Sequence, residues 1–368
     1  MNSKKFMEQY AKEMKAIQES VLEFIENDMP NDVLKKNFEE YKIYENKPKL
    51  ITLLHIISMI SKYHFRTPNF FEKLEYIIIH FKNEILKYLA NFEIFTIFKN
   101  SKRILLFLFE EKILNPELSI YNVISQKEYK KMFYIEYFLP EFSNFITRNP
   151  LKNNIEENIF KSKRKEGEND GYLAELIRTD SIDEFIIYIN KNNISLTSTI
   201  NSSIFETNLI LLLDSSLSLI EYASFFGSFQ IFKYLQLNQV ILNTSLLKYA
   251  IHGKNPEIIH ILESNCQSIY DNFNYDFLFE SIKCHHVDIM NYINNILLEI
   301  PSDKNDMILF QSLKYHNFAG ICKCNITNEY IQNNFINFIN FDYYDIVEFV
   351  LRNSDQDVSK FSKRNILD

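Results

Sequence analysis

The feature that most constrains this chain is a passage that occurs twice. Ser218–Leu235 reads SLIEYASFFGSFQIFKYL, and Ser245–Leu262, 27 residues further on, reads SLLKYAIHGKNPEIIHIL. Ser, Leu, Tyr and Ala recur at the same places, and apolar residues recur near the end. Self-similarity at such a period marks a supersecondary unit that cannot bury its apolar face alone and is stacked in series. The small or apolar residue that closes the first short helix of each unit serves as an anchor. It is Leu176, Ala223, Ala250, Ser281 and Ser312, at intervals of 47, 27, 31 and 31. Twelve residues after each anchor stand Tyr188, Leu235, Leu262, Ile293 and Cys324. Five after stand Ser181, Ser228, Asn255, His286 and Asn317. Four of those five are good N-cap types, whose short side-chain oxygen accepts from an orphan N–H of the next helix. Asn255-Pro256-Glu257 adds Pro and an acid in the first turn, where both belong. A last copy, DYYDIVEFVLRN (Asp342–Asn353), fits the second helix of the unit but leaves its register open. Each unit therefore reads as a short helix, a tight turn, a longer helix and a connection, in about six degenerate copies. The first interval of 47 holds NNISLTSTINSSIFETNLILLLDSS, an extended finger or a further hairpin.

The residues before the repeats also read as helices. Phe6, Tyr10, Met14, Ile17, Val21 and Phe24 share one stripe of an amphipathic helix, ended by Asp28-Met29-Pro30-Asn31. Residues 49–65, 70–92, 101–114 and 127–138 each predict a further helix, with Pro48, Pro68, Pro116 and Pro140 marking boundaries. Only 5 Gly and 8 Pro occur in 368 residues, which favours helices joined by short links over a sheet. The stretch 149–171 is polar and charged and holds Gly167 and Gly171, the composition of a linker. The expectation is an all-α protein: a helical N-terminal domain over 1–148, a charged linker over 149–171, and helix-turn-helix units over 172–368. A run of decayed repeats over 1–148 is the other arrangement these helices allow.

The wording EYASFFGSFQIFKYL…LLKYAIHGKNPEIIHILE resembles an ankyrin repeat. Against the family's first-helix signature T-P-L-H-x-A stand Ser218-Leu219-Ile220-Glu221-Tyr222-Ala223 and Ser245-Leu246-Leu247-Lys248-Tyr249-Ala250. The hydroxyl, the middle apolar residue and the final Ala are kept, whereas Pro and His are absent. The second-helix signature is matched by PEIIHIL, VDIMNYI and DIVEFVL. The resemblance is to a divergent ankyrin group expanded in parasitic protists, whose members carry a helical region before the repeats. It implies an α-solenoid over residues ~172–355 acting as a non-catalytic protein–protein interaction scaffold or adaptor. It also implies that the Thr–His network of the family cannot form here in its usual way, because Glu221 and Lys248 stand in the His place.

The remaining features narrow the function further. Hydrophobic residues make up 46% of the chain, which excludes a disordered polymer. A net charge of −8 makes a poor ligand for nucleic-acid phosphates. The one tight basic run, Lys161-Ser-Lys163-Arg164-Lys165, is followed at once by Glu166 and Glu168. It reads as solvated linker, with nuclear entry as the other use of such a run. No apolar stretch reaches the roughly 20 residues of a spanning helix, and the start of the chain lacks a secretory h-region. Cysteines stand only at 266, 284, 322 and 324, no disulfide framework, so a reducing, cytoplasmic setting is expected.

Cys284-His285-His286, Cys322-x-Cys324 and His316 are metal-ligand types without the spacing of a zinc site. On a helix, the thiols of Cys-x-Cys would diverge by about 200°, and Cys324 falls in the apolar column. No metal, cofactor or catalytic residue is expected, since the phosphate-loop, dinucleotide, zincin and nucleophile-elbow motifs are all absent. His252-Gly253-Lys254 reads as turn chemistry. The expected partner is another protein, with no nucleic acid or membrane, and the expected state is a monomer. The rival reading is an enzyme or regulatory subunit with a site in 1–148, where His55, His64 and His80 are unassigned.

Overall fold

The structure, a computed structural model, describes residues 2–146, 155–214, 216–265, 275–296 and 302–353. Residues 149–154 of the charged stretch, and Cys266, lie outside them. Among the described residues every regular element is a helix, as expected, and the one β contact is an isolated antiparallel bridge between Thr199 and Ser218.

The amphipathic stripe at the start forms the helix Ser3–Glu26, opened by Asn2, whose side chain accepts from the Lys5 N–H at 2.9 Å. Tyr10, Met14, Ile17, Val21 and Phe24 are buried along it. Residues 49–65 form the helix Lys47–Tyr63, which is apolar on most sides and accordingly deep, with Leu50, Leu53, Leu54, Ile56 and Ile57 wholly buried. Two expected helices are each broken in two. Residues 70–92 divide into Phe70–His80 and Lys82–Tyr88, with Asn91–Phe98 following. The break falls at Phe81, whose buried ring packs against Phe38 at 5.1 Å and Tyr44 at 4.9 Å. Residues 127–138 divide into Lys127–Lys131 and Tyr134–Tyr137 at Phe133, which takes a left-handed φ of 58°.

Left-handed residues set the plan of the second half. Six helix pairs are described: Tyr172–Arg178 with Ile182–Lys191, Leu219–Phe226 with Phe229–Leu237, and Leu246–Gly253 with Pro256–Asn265. Tyr275–Lys283 with Val287–Ile296, Ser302–Lys314 with Phe318–Ile321, and Phe335–Asn340 with Tyr344–Asn353 complete them. Each turn holds one left-handed residue: Asp180, Gly227, Lys254, His285, His316 and Asp342, at φ between 49° and 67°. In the first five pairs this residue lies four after the anchor, and the sixth gives its anchor as Phe338. In five of the six pairs the N–H five after the anchor then bonds the anchor's carbonyl, closing the helix as a Schellman turn; in the third the Lys254 N–H, four after, bonds the Ala250 carbonyl at 3.1 Å. Ser181 N–H does so to Leu176 at 3.0 Å, Ser228 to Ala223 at 2.9 Å and His286 to Ser281 at 3.1 Å. Asn317 does so to Ser312 at 2.8 Å and Tyr343 to Phe338 at 2.9 Å. The register of the last copy, open in the sequence, is thereby fixed. The left-handed residues before position 148, Asp28, Lys42, Asn69, Lys112 and Phe133, follow no common interval.

Two compact units divide the chain: residues 1–59, 67–84 and 290–368 in one, and 60–66 with 85–289 in the other. The expected segments 1–148 and 172–368 each contribute to both. In the first unit the helix Ser3–Glu26 packs on Phe318–Ile321, Asn328–Asn333 and Tyr344–Asn353. Phe6 stacks on Phe349 at 4.0 Å, and buried Gln18 accepts from the Phe318 N–H at 2.6 Å.

In the second unit successive first helices pack together from Tyr172–Arg178 to Tyr275–Lys283, as do the second helices from Ile182–Lys191 to Pro256–Asn265. Part of the charged stretch belongs to this unit's interior. Glu157–Glu166 is a helix, and Arg164 within the basic run is buried, forking onto the Glu141 carboxylate at 2.7 and 2.8 Å. The Tyr137 hydroxyl donates to the Arg164 carbonyl at 2.7 Å. The described part of the stretch is thus no loose linker: an arginine read as solvated is one side of a buried, bidentate pair.

Candidate functional site

The turns interlock. Asp180 of the first turn accepts the N–H groups of Gln230 and Ile231, both at 2.9 Å, and so caps the second helix of the next pair. Ser228 does not cap its own helix; its hydroxyl donates back to the Ile177 carbonyl at 2.5 Å. Asn255 does both, accepting from Glu257 and Ile258 N–H and donating to the Gly227 carbonyl at 3.0 Å. Of the four expected caps, Asn255 and Asn317 accept from their own helix, while Ser181 and Ser228 do not. At Gly253 a β-carbon would stand 2.3 Å from the Ser224 carbonyl oxygen and 2.8 Å from the Gly227 nitrogen, so these two turns touch through bare backbone.

His252 and Cys284, singled out in the sequence, are drawn into this interior. His252 is 2% exposed, with Nε2 2.5 Å from Glu280 Oε1 and Nδ1 3.2 Å from the Tyr63 carbonyl. Burial lowers the pKa of His252, opposed by the Glu280 bond. Burial would raise Glu280, but the bond and charge of His252, with Lys283 at 2.8 Å, outweigh it and hold the carboxyl at about 2.

Cys284 completes a cluster of three metal-ligand types that the sequence spacing does not reveal, because its members come from neighbouring turns. Cys284 Sγ lies 3.2 Å from His252 Nδ1 and 3.4 Å from Nε2. Near-equal distances put the sulfur over the ring face, out of line with either nitrogen lone pair. A shared metal or proton would need that line. Burial also pushes the Cys284 thiol up, away from thiolate.

Cys322 and Cys324 lie beyond the end of Phe318–Ile321 in a turn, not on a helix as the sequence reading assumed. Cys322 is exposed and Cys324 half-buried, its pKa raised to about 12 by burial.

The three N-terminal histidines likewise serve packing. His55 bonds Asp342 at 2.9 Å and stacks on His316, which stacks on Tyr343. His64 Nδ1 lies 2.8 Å from the Cys284 carbonyl, and His80 bonds the Tyr44 hydroxyl.

Two features are left for recognition. Large apolar side chains stand in water on the second helices and the connections: Ile187 at 65%, Leu213 at 67%, Leu237 at 71% and Ile241 at 82% exposure. A cavity of about 380 Å³ opens where the long first connection, residues 200–217, meets Lys130, Lys131 and Phe133. Ile200, Leu211 and Leu217 form its apolar wall, and Glu206 and Tyr222 its polar one. That connection is an extended finger with one short helix, Leu209–Leu213.

Among the described residues no helix is long and apolar enough to cross a membrane. Comparison with protein-family models, with curated proteins and with solved structures finds no match.

Proposed function

We propose that this chain is a non-catalytic protein–protein interaction scaffold built of about six degenerate ankyrin-type helix pairs. The observation that carries the reading is the constant turn: one left-handed residue four after each anchor, with the next unit bonded to it at Asp180 and at Gly227. In the first of the two matching copies the departure from the family signature has a local substitute. Glu221, in the place of the signature His, accepts the Ser218 N–H at 2.8 Å while Ser218 Oγ accepts the Glu221 N–H at 3.4 Å, a capping box. The first helix is thus started by its own side chains instead of the family's Thr–His network. His55, His64, His252 and Cys284 are committed to internal contacts, which leaves the exposed apolar residues as the natural contacts. On this reading the chain is a monomer in the cytoplasm, takes another protein as its partner and needs no cofactor.

The test is affinity capture from native extract with the full chain and with the triple variant Leu213→Lys, Leu237→Lys, Ile241→Lys. Because these side chains are exposed, the variant should keep the wild-type circular dichroism and melting temperature while losing a partner the wild type retains. Identical captured proteins from both chains would remove these residues from recognition, and capture of nothing by the wild type would count against the scaffold reading itself.

A further inference from the structure

We propose that the cavity under the long first connection binds a small organic monocation, its ammonium group on Glu206 and its apolar body against Ile200, Leu211 and Leu217. The volume of about 380 Å³ falls within the range of roughly 300–1,000 Å³ that small-molecule sites occupy. Glu206 on its wall is 3% exposed. One carboxylate oxygen is saturated: Oε1 accepts from the backbone N–H of Thr207 at 2.8 Å, that of Asn208 at 2.7 Å, and Asn208 Nδ2 at 2.8 Å. The other, Oε2, is buried and has no hydrogen-bond partner among the described residues. A buried acceptor left bare is costly, and a donor brought by a ligand relieves that cost.

The protein's own nearby cations are committed elsewhere. Lys102 spends all three N–H bonds of an ammonium on the carbonyls of Met132, Ile204 and Glu206, at 3.0, 2.8 and 3.1 Å. Arg178 donates to the Asn169 carbonyl at 2.7 Å and lies 3.4 Å from the Tyr222 oxygen. Exposed Lys130 and Lys131 also line the cavity, as does Asp214, whose Oδ2 accepts from the Tyr249 hydroxyl at 2.6 Å, and the two lysine charges disfavour a polycation. Phe133 lines it in a left-handed conformation, a strained placement for an aromatic residue of the kind that recurs at binding sites. The inference does not depend on the scaffold reading.

Titration calorimetry of the full chain in mildly alkaline buffer, with 2-phenylethylammonium, 2-phenylethanol and 3-phenylpropionate as probes, decides it. The ammonium is expected to bind at least about tenfold more tightly than the alcohol, a difference worth about 1.4 kcal/mol, and the anion not at all. Glu206→Gln should abolish the preference and leave the alcohol unchanged. Ser202→Trp, at an exposed position on the rim, should weaken both the ammonium and the alcohol without disturbing the core, and it decides the matter should Glu206→Gln fail to fold. Absent or equal binding of ammonium and alcohol, binding of the anion, or binding untouched by either variant would overturn the proposal.

Discussion

Asp180 shows how much a single side chain does in this architecture. Its two carboxylate oxygens satisfy two orphan N–H groups at the start of a helix 50 residues later in sequence, where a negative charge also complements the helix dipole. Asp180→Ala should therefore cost about 1–2 kcal/mol in urea denaturation, and Asp180→Asn less. Gly253 matters for a different reason. Its φ is not left-handed; the following Lys254 carries that role. What Gly253 supplies is contact between backbones, since a β-carbon would lie 2.3 Å from the Ser224 oxygen. Gly253→Ala should destabilise by more than about 2 kcal/mol, checked by the same denaturation. Of His252-Gly253-Lys254, read in the sequence as a turn, only Lys254 lies in the turn; His252 and Gly253 end the helix Leu246–Gly253. That Gly253 is there for its neighbour was not legible, because the close approach exists only once two units are stacked.

At the scale of elements, the apolar stripes made the helices legible, and the anchors made the pairs legible. The breaks at Phe81 and Phe133 were not, because neither position holds Gly or Pro and tertiary packing overrides the local preference. Capping was half legible: Asn255 and Asn317 act on their own helices, whereas Ser228 turns back to the preceding unit.

The His252–Glu280 pair ties one first helix to the next and gives the stack a pH response. The folded carboxyl titrates at about 2, below the unfolded value of about 4.3. Its stabilisation is therefore present above about pH 4.3 and is lost as pH falls toward 2. His252, whose pKa is lowered by burial, acts in the same direction, since the folded chain resists its protonation. Glu280→Gln should lower stability at neutral pH and flatten the acid limb of the stability–pH curve, measured by denaturation at a series of pH values.

At the scale of the molecule, each compact unit is assembled from both sides of the charged stretch. Sequence composition suggested a boundary there, but Lys102, Arg164 and Gln18, polar residues expected in water, are buried through partners far along the chain. Such pairings leave no periodic trace. A fragment of residues 172–368 alone should accordingly lack a cooperative thermal transition by circular dichroism, in contrast to the full chain.

The central structural claim is that the helix pairs of the second unit stack turn upon turn, the helix Phe229–Leu237 being capped by the turn before it. Hydrogen exchange on the peptide covering residues 229–233, in the wild type and in Asp180→Ala, tests it most directly. Within that peptide the Gln230 and Ile231 amides lie in the first turn of the helix and take their acceptor from Asp180 outside it, so their protection must come from the neighbouring turn. The account predicts slow exchange at Gln230 and Ile231 in the wild type and fast exchange in the variant, with the peptides of Leu246–Gly253 unchanged. Equal exchange at 229–233 in the two proteins would contradict it.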